Sequence, residues 1–133
     1  MIHIVIVSHG NLGKSLIESA EMIAGELEDI STVSLLPDEN LDTFGQKLGE
    51  HLDTLGDQET LVLVDLFGGT PCNVAAQAMQ RPNLESITGV NLPMLLEVVL
   101  SGRSQADSAD ELAAMAEVAG RKSIKNIREL LGC

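Results

Sequence analysis

Residues 61–71 read Leu-Val-Leu-Val-Asp-Leu-Phe-Gly-Gly-Thr-Pro. Leu61–Val64 is apolar at every position and too short for a helix. It predicts a strand buried on both faces, the mark of a parallel sheet covered on both sides. Asp65 stops the run, and Gly68-Gly69 opens a turn. Thr70 then reads as a helix cap with Pro71 at the first helical position, the helix running through Val74, Ala75, Ala78 and Met79. The unit is strand, loop, helix, with polar and glycine residues confined to the loop.

The same unit opens the chain. Ile2–Val7 is apolar except for His3 and ends at Ser8-His9-Gly10. Asn11 reads as a helix cap, and Leu12, Leu16, Ile17, Ile23, Ala24 and Leu27 follow at helical spacing. Ile30–Leu36 predicts a second strand, closed by Pro37-Asp38. Leu41, Phe44, Leu48, Leu52 and Leu55 recur at steps of three and four, so that stretch predicts a helix ended by Gly56-Asp57. Leu84–Val90 reads as a fourth strand. Asn91-Leu92-Pro93 opens a helix through Leu95, Leu96, Val99 and Leu100, and Ser108 with Glu111 forms a capping-box pattern for one more. In the tail, Ile124, Ile127 and Leu130 are spaced by three, which favours helix, although an edge strand would also fit.

This alternation gives an α/β fold: a doubly wound, mainly parallel four-stranded sheet of order 2-1-3-4 with helices on both faces. The whole chain, residues 1–133, reads as one domain with no linker, repeat or low-complexity segment. Its 44% hydrophobic content excludes overall disorder. A net charge of −12 argues against nucleic acid and anionic membranes, which repel an acidic surface. Only Phe44 and Phe67 are aromatic, so base stacking is nearly absent. No apolar run reaches the ~20 residues of a membrane span, and the N-terminus lacks a basic segment and cleavage site, so a cytoplasmic location is expected. Cys72 and Cys133 have no metal-ligand or C-x-x-C spacing, so neither a disulfide framework nor a zinc site is expected.

In such a sheet, ligands bind beyond the carboxyl ends of the strands where the strand order reverses, here between the first and third. His9 stands at the end of one and Asp65 at the end of the other, with Asn91 after the fourth. A carboxylate on one imidazole nitrogen fixes the tautomer and leaves the other nitrogen nucleophilic. Gly68, Gly69 and Thr70 precede a helix whose first N–H groups favour an anion, and Thr70 adds a hydroxyl. A nucleophilic histidine beside anion-binding amides points to a phosphorylated histidine.

The segments VIVSHGNLGKSL, VLVDLFGGTPCNVA and GVNLPMLLE together resemble the mannose-type family of phosphotransferase system (PTS) IIA domains, over Met1 to about Leu131. The likeness implies that His9 is the phosphorylated residue, that Asp65 orients it, and that Thr70 contacts the phosphoryl group. Ser8, Gly10 and Asn91 are carried as supporting residues. It further implies a relay from the histidine-containing carrier HPr to a IIB component, with membrane IIC and IID subunits engaged indirectly, and no metal or cofactor. It implies a homodimer that exchanges a C-terminal strand. Some members are fused to IIB through an Ala/Pro-rich linker; none follows here, so a separate IIB is expected. A related branch donates phosphate to a dihydroxyacetone kinase, but LFGGTPCN resembles the sugar branch better.

Simpler readings stand beside these. His9 could be a polar strand end and Asp65 a loop cap. His3 reads as a satisfied buried or edge histidine, His51 as a solvated helix position, Cys72 as a small buried residue, and Met22, Met79, Met94 and Met115 as core or interface filler. Other functions fit less well. A receiver-like domain needs an acidic pair where Ser8-His9 stands. A flavin carrier needs aromatic residues that are missing here. A cysteine phosphatase built on Cys72 needs an arginine where Ala78 stands. A non-catalytic regulatory dimer stays open.

Overall fold

The computed structural model describes residues 1–132, so Cys133 and its expected free state lie outside the described residues. Strands β1 (His3–His9), β2 (Ile30–Leu35), β3 (Thr60–Val64) and β4 (Leu84–Thr88) form one sheet of order β2-β1-β3-β4, and every neighbouring pair is parallel. Helices α1 (Leu12–Ala24), α2 (Leu41–Leu55) and α3 (Gly69–Ala78) connect them. After β4 come α4 (Leu92–Glu97), a π-helical turn at Val98–Gly102, α5 (Arg103–Gln105), α6 (Ala109–Lys122) and α7 (Ile127–Leu131).

The period-two alternation of the strands splits the core into two layers. Ile4, Ile6, Leu61 and Leu63 face one side, against Ala20 of α1, Met94 and Leu95 of α4, and Leu112 and Ala116 of α6. Val5, Val7, Val62 and Val64 face the other, against Phe44, Leu48 and Leu52 of α2 and Val74 and Ala75 of α3. Burial of each Val, Leu, Ile, Phe or Met side chain among these contributes about 1.5–3 kcal/mol. His9 shares the parity of Val5 and Val7, which places it on the α2–α3 side of the sheet.

Several local readings are corrected. Leu12 and Ile23 of α1 are exposed; Gly13 and Ala20 are the helix's buried residues instead. A Cβ at Gly13 would lie 2.3 Å from Thr32 Oγ1 and 3.1 Å from Ile6 Cγ2, so only glycine lets α1 approach the sheet. β4 ends at Thr88, two residues early, because Gly89 turns the chain at φ +81°. Ser108 caps α6 by accepting from the Glu111 N–H, but the Glu111 carboxylate reaches the Asp107 N–H, so the reciprocal half of the box is displaced by one residue. Of the methionines read as core or interface filler, Met94 is buried but Met22 is 88% exposed, so Met22 is not core. Among the described residues of the single chain the tail forms no strand, in line with the helical reading of its spacing. Residues 127–131 are helical, with the Asn126 side chain accepting from the Glu129 N–H and Gly132 closing the end at φ +75°. Local capping at both ends accounts for helix over strand.

His51 is not a solvated position. His3 Nε2 and His51 Nε2 both meet the Ser31 hydroxyl, at 2.8 and 2.7 Å, which ties β1, β2 and α2 together far from His9 in the strand direction. His3 itself is buried and satisfied, as expected. Nearby, Arg103 donates to the carbonyls of Glu28, Asp29 and Ile2 and locks α5 onto the start of the sheet.

Burial pushes the His3 ring below its ordinary value of 6.5; the Asp29 carboxylate opposes this, while His51 and Arg103 reinforce it. The unfolded chain therefore binds this proton more readily than the folded one, and stability falls as pH drops below about 6.5. Denaturant unfolding at about pH 7 and pH 5 should show a smaller pH-dependent loss for His3→Gln than for the parent. Equal losses would show that His3 does not carry this linkage.

Candidate active site

The register that puts Ile4 beside Leu61 and Val7 beside Val64 brings the ends of β1 and β3 level. The Asp65 N–H donates to the Val7 carbonyl at 3.1 Å, which turns the Asp65 side chain back toward β1. Its Oδ2 accepts from the His9 backbone N–H at 2.9 Å and lies 2.7 Å from His9 Nδ1. Its Oδ1 accepts from the Leu66 N–H at 2.9 Å. The Asp65 side chain is 5% exposed and that of His9 51% exposed, so the carboxylate is sheltered while the ring is open to a partner.

Burial alone would raise the Asp65 pKa. The hydrogen bonds from the His9 N–H, the His9 ring and the Leu66 N–H outweigh it and hold the carboxyl below the usual range. An ionised carboxylate only accepts, so Nδ1 carries the proton of the neutral ring and Nε2 presents a lone pair. That edge faces the start of α3: a Cβ on Gly69 would lie 3.6 Å from His9 Cε1 and 3.7 Å from Nε2. Gly68 and Gly69 take φ of +90° and +82°, which glycine alone adopts freely. These two residues start the helix earlier than Thr70-Pro71 suggested. Gly68 is the N-cap, with Thr70 and Pro71 inside the first turn. The Thr70 hydroxyl is therefore not the helix cap, and the Gly69 and Thr70 N–H groups have no partner within the helix.

Ser8 and Gly10 flank His9, and their hydrogen bonds hold the backbone on either side of it. Ser8 Oγ is buried and accepts from the Gly13 N–H at 3.0 Å, while Gly10, at φ +55°, donates its N–H to the Leu35 carbonyl at 2.8 Å. Asn91 is placed differently. Its side chain accepts from the Met94 N–H and donates to the Gly120 carbonyl and Ser123 Oγ, so it caps α4 and ties it to α6. Cys72 is half-buried and packs against the α2–α3 core layer.

Reading the sequence missed the apolar rim. Leu12, Leu36, Leu66 and Phe67 are exposed, Phe67 by 85%; Leu12 opens α1 just after β1, Leu36 follows β2, and Leu66 and Phe67 lie in the loop after β3. The available signal was Leu66-Phe67 lying between Asp65 and two glycines, a loop position that no core requires. Among the described residues, no group of three or more His, Cys, Asp or Glu side chains is arranged to hold a metal ion. Among the same residues, no helix is long and apolar enough to cross a membrane.

Fold and site thus define a doubly wound α/β domain with a histidine–aspartate pair at its switch point, facing a helix N-terminus. Residues 3–117 match the family described as the PTS system fructose IIA component, and the chain belongs to that family, as a IIA component of the mannose/fructose/sorbose type. The mannose-specific EIIAB component of Escherichia coli (strain K12) is 37% identical over 129 residues, 96% of this chain and 40% of that protein, so this chain spans less than half its length. The fructose-specific EIIA component of Bacillus subtilis (strain 168) is 39% identical over 101 residues, 74% of this chain and 69% of that one. The mannose/sorbose-specific IIA subunit of Enterococcus faecalis superposes with a TM-score of 0.87 at 37% identity, covering 94% of this chain and 93% of its own.

The tautomer is directly observable. In the parent, ¹⁵N shifts of neutral His9 should report protonated Nδ1 and bare Nε2. Asp65→Asn should mix the two forms, because an amide can donate as well as accept. An unchanged tautomer in Asp65→Asn would show that Asp65 does not set it.

Proposed function

We propose that the chain is a phosphocarrier of the sugar phosphotransferase system, acting in the cytoplasm. It takes a phosphoryl group from phospho-HPr onto His9 and passes it to a IIB component. The observation that supports this most is the His9–Asp65 pair, with Nδ1 engaged and Nε2 directed at the start of α3. Family membership supplies the reaction class.

In this reading His9 Nε2 attacks phosphorus in line. A new N–P bond forms as the N–P bond to the HPr histidine breaks, and that histidine leaves with its electron pair. Asp65 holds Nδ1–H in place and stabilises the positive charge that grows on the ring. The Gly69 and Thr70 N–H groups and the Thr70 hydroxyl donate to phosphoryl oxygens, so the site works by positioning and electrostatics. Transfer to IIB is the reverse step with a different acceptor. The reading includes a homodimer, since Ile124, Ile127 and Leu130 are exposed in a single copy.

The test is transfer from phosphoenolpyruvate through enzyme I and HPr, followed by mapping of the modified residue. Acid-labile, base-stable phosphate on His9 is expected. His9→Ala should abolish labelling, while His3→Ala and His51→Ala keep it. Asp65→Asn should slow single-turnover transfer by orders of magnitude, as the ~10⁴-fold loss in a serine-protease triad suggests. Thr70→Ala should cost about 1–3 kcal/mol of barrier, the worth of one hydrogen bond to a charged group. Phosphate on Asp65, or a folded protein that is never labelled, would overturn the proposal.

A further inference from the structure

Lys47 lies on α2, and its side chain runs back along the helix to the end of β2. Its ammonium stands 5.8 Å from the centre of the Phe44 ring. Nζ donates to the Ser34 carbonyl at 2.7 Å and to Glu39 Oε1 at 2.8 Å. The same Oε1 accepts from the Leu36 N–H at 2.7 Å. One ammonium and one carboxylate oxygen thus join three points: the last residues of β2, the loop at residues 36–40, and α2.

This cluster lies next to the backbone that carries His9. Ser34 pairs in register with Ser8 and Leu35 with His9, and the Leu35 carbonyl takes the Gly10 N–H. The loop is otherwise tied down by little, chiefly a bond from the Glu39 N–H to the Leu36 carbonyl and the Asn40–Thr43 cap of α2. The ion pair is partly sheltered, with side chains 36% and 16% exposed. The hydrogen bond from Lys47, ahead of that from the Leu36 N–H, holds the Glu39 carboxyl below the usual range, so the pair is ionised at neutral pH.

We infer that Lys47 and Glu39 are positioning residues for the phosphoryl-transfer reaction. They fix the loop after β2, with its exposed Leu36, as one wall of the surface on which the phosphorylated donor protein docks. The inference rests on the phosphocarrier reading. In-line attack requires the donor phosphorus to come within about 3–3.5 Å of His9 Nε2. His9 sits level with the loops after β1, β2 and β3, so a protein-borne phosphohistidine that reaches it must lie over those loops. A loop that must be ordered on each encounter weakens docking without altering the chemistry at the ring. Helix α2 does not depend on the ion pair, because Phe44, Leu48 and Leu52 anchor it in the core.

The experiment measures transfer from phospho-HPr over a range of donor concentrations, with single-turnover rates at saturation. Lys47→Met and Glu39→Gln should each raise KM about threefold to tenfold and leave the saturating rate within about twofold. Lys47→Arg should recover most of the loss. The double variant should be no worse than Lys47→Met, since both changes break one unit. Unchanged KM in both single variants, or a fall in the saturating rate alone, overturns the inference. A raised KM in Lys47→Met with Glu39→Gln neutral also overturns it, because Lys47 would then touch the donor directly. If the parent protein is not labelled on His9 at all, the phosphocarrier reading fails first and this inference fails with it.

Discussion

A single oxygen, Asp65 Oδ2, accepts both the backbone N–H and the ring N–H of His9. The arrangement around His9 depends on that shared acceptor. The backbone bond fixes where His9 leaves β1, and the ring bond fixes how the imidazole turns. The side chain is almost fully buried, so its charge would be costly without donors. Three N–H groups aimed at its two oxygens reverse that balance. Removing the carboxylate would strip position and tautomer together, whereas removing the imidazole would leave two of the three donors in place.

The pair can meet because of the winding. α1 leaves β1 toward one face of the sheet, and α3 leaves β3 toward the other. The loops therefore part between β1 and β3, opening a crevice where two strands buried on both faces end side by side. Glycine does the close work there. Gly13 lets α1 lie against Ile6 and Thr32, and Gly69 lets α3 begin within van der Waals reach of the His9 ring. A Cβ at Gly13 would push α1 off the sheet, while at Gly69 the φ of +82° is what favours glycine.

The architecture was legible because the two central strands, β1 and β3, are short, nearly uninterrupted apolar runs that alternate with segments of helical spacing. Strand order, parallel pairing, and His9 with Asp65 at the switch point all followed from that pattern. What escaped was set by packing or by local competition. Thr70-Pro71 reads as a helix start, but two positive-φ glycines begin the helix sooner. Leu12 and Ile23 fit the helical period yet lie outside, because Gly13 and Ala20 define the inner stripe. His51 has the spacing of a solvated residue, and only the fold reveals Ser31 across from it. Asn91 converges on the right end of the sheet, but its hydrogen bonds go to α4 and α6. The tail shows a conflict between local and family signals, and its own caps prevail over residues 127–131.

The chemical character of the site also suits a relay. A carrier must give up what it receives, so tight holding of the phosphorylated state would slow the second transfer as much as it aids the first. In the proposed reaction the donors at the start of α3 are uncharged amides and one hydroxyl. Lys47, at the end of β2, is engaged by Glu39 and the Ser34 carbonyl. In the proposed reaction, the charge that builds on the imidazole is met by a buried carboxylate, while the α3 N–H groups offered to the phosphoryl oxygens are dipoles. Stabilisation is therefore concentrated on the ring, whose charge rises as the phosphoryl group arrives and falls as it leaves, so the same carboxylate serves both transfers.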